Sequence, residues 1–143
     1  MASELRELRP TWADIDAAAF RRNIESIAGR LPHGSRLIAV MKADAYGHGA
    51  AELSKQVTPD RVAMIAVVLL EEALELRRAG VTMPILVLGP LTETQVRIAV
   101  DNSITLGVPG PEELEAAARV ARERDVAIHL KLDSGMGRMG SVE

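Results

Sequence analysis

The sequence contains no cysteine, and this absence excludes disulfide bonds and cysteine-ligated metal sites. Aromatic residues are scarce as well, with one tryptophan, one tyrosine and one phenylalanine in 143 residues. The core must therefore be built from aliphatic side chains, which is feasible. The longest apolar run, residues 62–70, is too short to cross a bilayer, and the charged N-terminus does not resemble a secretory signal. We expect a cytoplasmic protein without a metal.

Charge and composition exclude further classes of protein. The formal net charge is -3, which provides no basic field for nucleic acid or an anionic membrane. Hydrophobic residues make up 48% of the chain and charged residues 26%, which is typical of a soluble globular protein. The length fits a single domain.

Apolar runs alternate with helical patterns along the chain. This alternation predicts a parallel α/β sheet, but it does not separate an open doubly wound sheet from a closed barrel. We predict a helix capped by Asp16 and ending near Gly29, and a strand at 37–41 that is buried on both faces. The predicted strands are 11–16, 37–41, 61–68, 84–88, 103–108 and 126–132, and later helices are predicted at 49–57, 71–79, 92–100 and from 111 onward.

A first polar cluster, VMKADAYGHG, follows the apolar run 37–41. In both candidate architectures the chemistry lies at the carboxyl ends of the strands, where Lys42 would point. Tyr46 follows in a loop with Gly47 and Gly49, and glycines let the backbone approach a phosphate closely. The alternative is an ordinary solvated lysine, with His48 as a loop or capping residue.

A second cluster, HLKLDSGMGRMG, follows the last predicted strand. Lys131 and Asp133 alternate with leucines, so both charges share one strand face. Arg138 lies in the Gly-rich loop, and its planar guanidinium suits a substrate carboxylate. The alternative is a structural Lys131–Asp133 ion pair with a surface arginine.

These motifs resemble those of the alanine racemases. KADAYGHG closely resembles their cofactor-lysine motif over eight consecutive residues, and the second cluster resembles the K-x-D-[ST]-G-M-x-R-x-G pattern at the end of their fifth barrel strand. The segments RPTWADIDAAAFRRNI, LLEEALELRRAG and PILVLGP are also similar to the family. The resemblance implies a (β/α)8 barrel of the TIM type. Such a barrel typically takes about 250 residues, so only about the first five β/α units fit here. We expect residues 1–10 to be an N-terminal extension and residues 11–143 to be the N-terminal portion of the barrel domain, truncated before its remaining strands.

The resemblance also implies a role for each site residue. Lys42 would bind pyridoxal phosphate through a Schiff base and act as one of two catalytic bases, and Tyr46 would contact the cofactor phosphate. Arg138 would lie near the substrate carboxylate. Lys131 corresponds to a lysine that is carbamylated in some members and positions that arginine. Glu71 and Glu72 need no catalytic role, because acids in a first helical turn suit the helix dipole.

The implied function is the interconversion of L-alanine and D-alanine by a homodimer that supplies D-alanine for the peptidoglycan cell wall. The family's second base is a tyrosine from a C-terminal β domain, and this chain has no counterpart to it. We therefore expect the chain alone to be inactive or weakly active. Three alternatives stay open: a racemase for another amino acid, a non-catalytic PLP-binding protein of similar barrel fold, and a remnant that binds nothing.

Overall fold

The computed structural model describes residues 11–141 of the chain. Its five strands form one parallel sheet in the order β1-β2-β3-β4-β5. The strands are β1 (Leu37–Val40), β2 (Val62–Val67), β3 (Ile85–Val87), β4 (Ile104–Val108) and β5 (Ile128–Leu130). The predicted extension 1–10 lies outside the described residues.

Helical segments precede and connect the strands, as the alternation predicted. They are α1 (Ala17–Ala28), α2 (Lys42–Gly47), α3 (Ala50–Ser54), α4 (Leu70–Arg78), α5 (Glu93–Asp101) and α6 (Pro111–Ala121). The predicted cap is confirmed, because the Asp16 carboxylate accepts the Ala19 N–H at 2.9 Å and Gly29 follows the end of α1. Within residues 11–141 no helix is long and apolar enough to span a membrane.

The strand order decides between the two architectures left open by the sequence. Each strand pairs with its neighbour in sequence, and the order never reverses. Because parallel crossovers are right-handed, an unreversed order places all the connecting helices on one face of the sheet. A doubly wound sheet would reverse at a switch point. The sheet is therefore of the barrel type, with five consecutive strands.

The core lies between this sheet and its helices. Ile85 and Val87 of β3 are fully buried, and Leu76, Val96 and Val120 of the covering helices are at most 2% exposed. Burying an aliphatic side chain of this size contributes roughly 1.5–3 kcal/mol. Aliphatic packing thus replaces aromatic bulk, as the composition predicted.

Two predictions about the early strands are wrong. Residues 11–16 form no strand, since no neighbouring strand pairs with them within the described chain. The strand β1 is not buried on both faces, because Ile38 and Val40 are 42% and 45% exposed. These two side chains lie on the face of the sheet opposite the helices, which we call the open face and which also carries Met64.

Candidate active site

The position of Lys42 follows from the end of β1. Met41 is buried, and its N–H donates to the Ala66 carbonyl at 2.8 Å, so the backbone stays attached to β2 up to that point. At Met41 the backbone leaves the extended conformation, with a ψ of 26°. Lys42, the second residue after β1, lies half-buried at the carboxyl edge of the sheet, the edge formed by the carboxyl ends of the strands.

The three lysines of the chain have different surroundings. Lys55 pairs with a carboxylate of its own helix at 2.6 Å, and Lys131 Nζ donates to the Leu88 carbonyl at 3.4 Å. Lys42 Nζ lies 5.8 Å from the centroid of the Tyr46 ring, within reach of a cation–π contact. Within residues 11–141 the Lys42 amine forms no hydrogen bond or ion pair. No acceptor within residues 11–141 therefore competes with a ligand for the Lys42 amine.

The segment after Lys42 is helical but left-handed, whereas the sequence predicted an irregular loop. Ala43, Asp44, Ala45 and Tyr46 have φ angles of 49°, 53°, 53° and 58°. A left-handed helix costs roughly 1–2 kcal/mol per residue for L-amino acids other than glycine. Strain of this kind persists only where other contacts impose it, and it is concentrated at functional sites.

Hydrogen bonds between this turn and residues outside it hold the turn in this conformation. The Glu72 carboxylate accepts the Ala43 N–H at 2.6 Å, and the Asp44 carboxylate accepts the Ala50 N–H at 2.6 Å. His48 Nδ1 lies 2.8 Å from the Ala45 carbonyl, a contact that shapes the loop. The turn brings the Tyr46 ring, which is 61% exposed, beside the Lys42 amine.

The second cluster is organised by Asp133. Its carboxylate accepts the backbone N–H groups of Gly135, Gly137 and Arg138 at 2.9–3.0 Å. These hydrogen bonds, that of Gly137 first, lower the pKa of Asp133 below its ordinary value of 3.8. Asp133 forms no ion pair with Lys131 in the described chain, so the structural pair considered from the sequence is not present.

The loop closes on itself and exposes Arg138. Ser141 donates its N–H to the Lys131 carbonyl, and Asp133 donates its N–H to the Ser141 carbonyl, both at 2.9 Å. A Cβ at Gly140 would lie 2.7 Å from the Asp133 nitrogen, so this close return requires glycine. The Arg138 guanidinium is exposed and forms no hydrogen bond with the part of the chain that the structure describes.

The structure thus places both clusters at the carboxyl edge of the sheet. Lys42 follows β1, and Lys131 follows β5 and reaches back to the end of β3 through Leu88. No hydrogen bond or ion pair connects Lys42 or Tyr46 with Lys131 or Arg138 among residues 11–141. A ligand that bound both clusters would have to span the carboxyl edge of the sheet from β1 to β5.

Glu72 is the residue that sequence reasoning underestimated. Besides Ala43, its carboxylate accepts the N–H groups of Val68 and Leu69, both at 2.9 Å. Burial raises the pKa of Glu72, but these hydrogen bonds and the charge of Lys42 outweigh burial and hold the pKa below 4.5. The helix dipole alone does not explain these contacts. The one sequence signal was the three-residue spacing from Leu69, typical of an acid that reaches back to a helix start.

A family model described as "Alanine racemase, N-terminal domain" matches residues 15–143 of the chain. The chain belongs to this family. Alanine racemase 1 of Bacillus subtilis is 40% identical over 132 residues, which is 92% of this chain and 34% of that protein. The chain spans about a third of the length of the curated relatives that it matches.

Solved structures agree with this family. The crystal structure of alanine racemase from Bacillus anthracis with bound L-Ala-P has a TM-score of 0.83 and 36% identity, covering 93% of this chain and 35% of that one. Histidine racemase from Leuconostoc mesenteroides has a TM-score of 0.77 and 30% identity, covering 88% of this chain and 34% of that one. The racemase barrel therefore accommodates more than one named activity at this level of similarity.

Proposed function

We propose that residues 11–143 are the N-terminal barrel portion of a pyridoxal-phosphate-dependent alanine racemase, preceded by an extension at residues 1–10. One observation carries this proposal. Among the lysines, Lys42 alone has an amine without an acceptor in residues 11–141, and it lies at the carboxyl edge where barrel enzymes place their chemistry. Family membership makes a cofactor lysine at this edge the natural interpretation.

The residues present fit pyridoxal phosphate. Lys42 offers a primary amine for covalent attachment, and Tyr46 offers an exposed phenol beside it that would contact the phosphate. Space next to both groups is supported by their exposure, since Tyr46 is exposed and Lys42 is only half-buried. When bound, pyridoxal phosphate would withdraw electrons from the substrate α-carbon and so acidify its C–H bond.

The chain's own residues would then bind the substrate and move its proton. Arg138 would bind the substrate carboxylate through its unoccupied guanidinium, held in place by the loop around Asp133. The Lys42 amine would take up the α-proton on one face of the carbon. Lys131, if carbamylated, would change from a cation to an anion and could pair with Arg138, which fixes the guanidinium in position.

Racemisation also needs a proton donor on the opposite face. The chain has one tyrosine, Tyr46, and its ring lies beside the Lys42 amine, 5.8 Å from Nζ. We therefore propose that the second acid–base group comes from protein outside these residues, in a cytoplasmic homodimer that supplies D-alanine to the cell wall. Alanine is the favoured substrate because the curated relatives are alanine racemases, and the histidine racemase structure supports another amino acid as the second candidate.

Trapping of the cofactor tests this proposal. The full chain is mixed with pyridoxal phosphate and reduced with borohydride, and the pyridoxyl mass is located by peptide mass spectrometry. Lys42→Ala removes the proposed site, and Lys55→Ala is the matched control because that lysine is already paired with Glu52. We expect stoichiometric labelling of Lys42 in the parent chain and in Lys55→Ala, and its loss in Lys42→Ala. Labelling spread evenly over Lys42, Lys55, Lys131 and the N-terminal amine would refute the proposal.

A further inference from the structure

One carboxylate connects the carboxyl ends of β1 and β2. Glu72 Oε1 accepts the Ala43 N–H at 2.6 Å, and Glu72 Oε2 accepts the N–H groups of Val68 and Leu69 at 2.9 Å. Ala43 follows Lys42 and is the third residue after β1, whereas Val68 and Leu69 are the first two residues after β2. A single side chain on α4 therefore fixes the backbone immediately after both strands.

The Ala43 contact acts directly on Lys42. The N–H group that Glu72 binds belongs to the peptide unit between Lys42 and Ala43, so the contact fixes the direction in which the chain leaves Lys42. It also lies at the first of the four left-handed residues, where the backbone has to leave the usual right-handed region. The hydrogen bond to Glu72 at 2.6 Å stabilises this orientation of the peptide. It is a physical reason for a left-handed conformation that these non-glycine residues otherwise disfavour.

The neighbouring acid shows that these contacts do not follow merely from an acid in the first turn of α4. Glu71 occupies the same turn of the same helix, is exposed, and forms no hydrogen bond or ion pair with residues 11–141. Of the two acids, Glu72 forms the contacts with the backbone that follows β1 and β2. Glu71 is therefore a matched control for Glu72, since both carboxylates lie in the first turn of α4.

We propose that Glu72 is a positioning residue for Lys42: its carboxylate imposes the left-handed turn and thereby sets the placement of the Lys42 amine relative to Tyr46. The conformational part of this inference concerns the chain itself, and its consequence for chemistry rests on the proposed function. Glu72→Gln tests both parts, each with its own measurement. The substitution keeps the size of the side chain but leaves one acceptor oxygen where the carboxylate has two. The amide cannot accept from the N–H of Ala43 and from those of Val68 and Leu69 at the same time, since its NH₂ group would face another donor.

The conformational part is tested without cofactor. The single tyrosine allows the full chain to be labelled with 3-fluorotyrosine, which gives one ¹⁹F resonance from Tyr46. We expect one narrow resonance in the parent chain, a shifted or split resonance in Glu72→Gln, and the parent spectrum in Glu71→Gln. A folded Glu72→Gln chain with the parent resonance would overturn the inference.

The chemical part uses the rate of borohydride-trapped labelling of Lys42 at equal folded fraction, a readout that a general loss of stability does not change. We expect Glu72→Gln to slow Lys42 labelling roughly ten- to hundredfold, because misplacement of a reacting group by about 1 Å costs rates of this order. Glu71→Gln should label like the parent. An unchanged rate in Glu72→Gln would refute the positioning role while leaving the proposed function intact.

Failure of the proposed function gives a different pattern. In that case the parent chain labels its lysines indiscriminately, while the Tyr46 resonance still distinguishes Glu72→Gln from Glu71→Gln. If Glu72→Gln does not fold, amide hydrogen exchange of the parent chain decides the matter. Protection of the exposed residue Ala43 at its N–H supports the contact with Glu72, and exchange at the unprotected rate contradicts it.

Discussion

The carboxylate of Asp133 accepts the backbone N–H of Arg138 at 2.9 Å, so the residue that organises the loop also fixes the backbone of the residue that would bind a carboxylate. Gly135 and Gly137 donate to the same carboxylate. The loop is thus folded around one anion, which also holds the backbone at Arg138.

Replacing Asp133 with Asn should therefore loosen the loop without unfolding the sheet. The amide loses one acceptor oxygen, so at least one of the three N–H groups is released. We expect faster hydrogen exchange at the amides of Gly135, Gly137 and Arg138, measured by NMR. Asp125→Asn is the control, because that exposed side chain has no hydrogen bond or ion pair in residues 11–141. Equal exchange in both variants would show that Asp133 does not organise the loop.

Arg77 stabilises the edge of the sheet opposite the candidate site. Its guanidinium donates to four backbone carbonyls at 2.8–3.0 Å, and its pKa is lowered by burial. Two of the carbonyls lie before β3 and two before β4, so one side chain joins both strand entrances. The acceptors are those of Val81, Met83, Asn102 and Ser103.

Replacing Arg77 with Met keeps much of the aliphatic stem and removes the donors. We expect the free energy of unfolding to fall by about 2 kcal/mol, since hydrogen bonds from a charged donor contribute roughly 1.5–3 kcal/mol. Urea denaturation measures the change. Arg78→Met should stay within about 0.5 kcal/mol of the parent, because Arg78 is exposed and unpaired within the described residues. A similar loss in both variants would contradict the specific role of Arg77.

Local patterns predicted the alternation of strands and helices and located Lys42 just after one strand and Arg138 in the loop after the last strand, because periodicity and motifs act over short stretches. The contacts of Glu72 and Arg77 could not be predicted this way, since Ala43 is 29 residues from Glu72, and Asn102 is 25 residues from Arg77. The apolar run of β1 was misinterpreted for a related reason. Its composition is that of a doubly buried strand, but exposure depends on what covers the open face.

The handedness of the turn after Lys42 predicts an unusual response to glycine. Ala43 is exposed and has a φ of 49°, so replacing it with Gly removes little packing. Relief of roughly 1–2 kcal/mol of left-handed strain exceeds the backbone entropy cost of roughly 0.5–1 kcal/mol. We expect Ala43→Gly to raise the free energy of unfolding by about 0.5–1 kcal/mol.

An exposed alanine in a right-handed helix provides the comparison. Ala118 lies in the middle of α6, and Ala118→Gly should lower the free energy of unfolding by about 1 kcal/mol. Both substitutions replace alanine with glycine. A rise in the free energy of unfolding at Ala43 and a fall at Ala118, both measured by urea denaturation, would therefore show that the backbone after Lys42 is left-handed. Destabilisation of similar size at both positions would show that the turn is not left-handed in solution.

Glu72 also predicts how stability depends on pH. Its pKa in the folded chain is below the ordinary value of 4.5, so folding favours the charged form. The stability it contributes is complete above pH 4.5 and is lost as the pH falls through the lower pKa of the folded chain.

The difference in unfolding free energy between the parent chain and Glu72→Gln should therefore be constant near neutral pH and shrink in acid. Glu71→Gln is the matched control, because Glu71 has no hydrogen bond or ion pair within residues 11–141. Urea titrations at pH values on both sides of 4.5 measure this dependence. A difference that does not change with pH would mean that the negative charge of Glu72 is not needed to hold the N–H groups of Ala43, Val68 and Leu69.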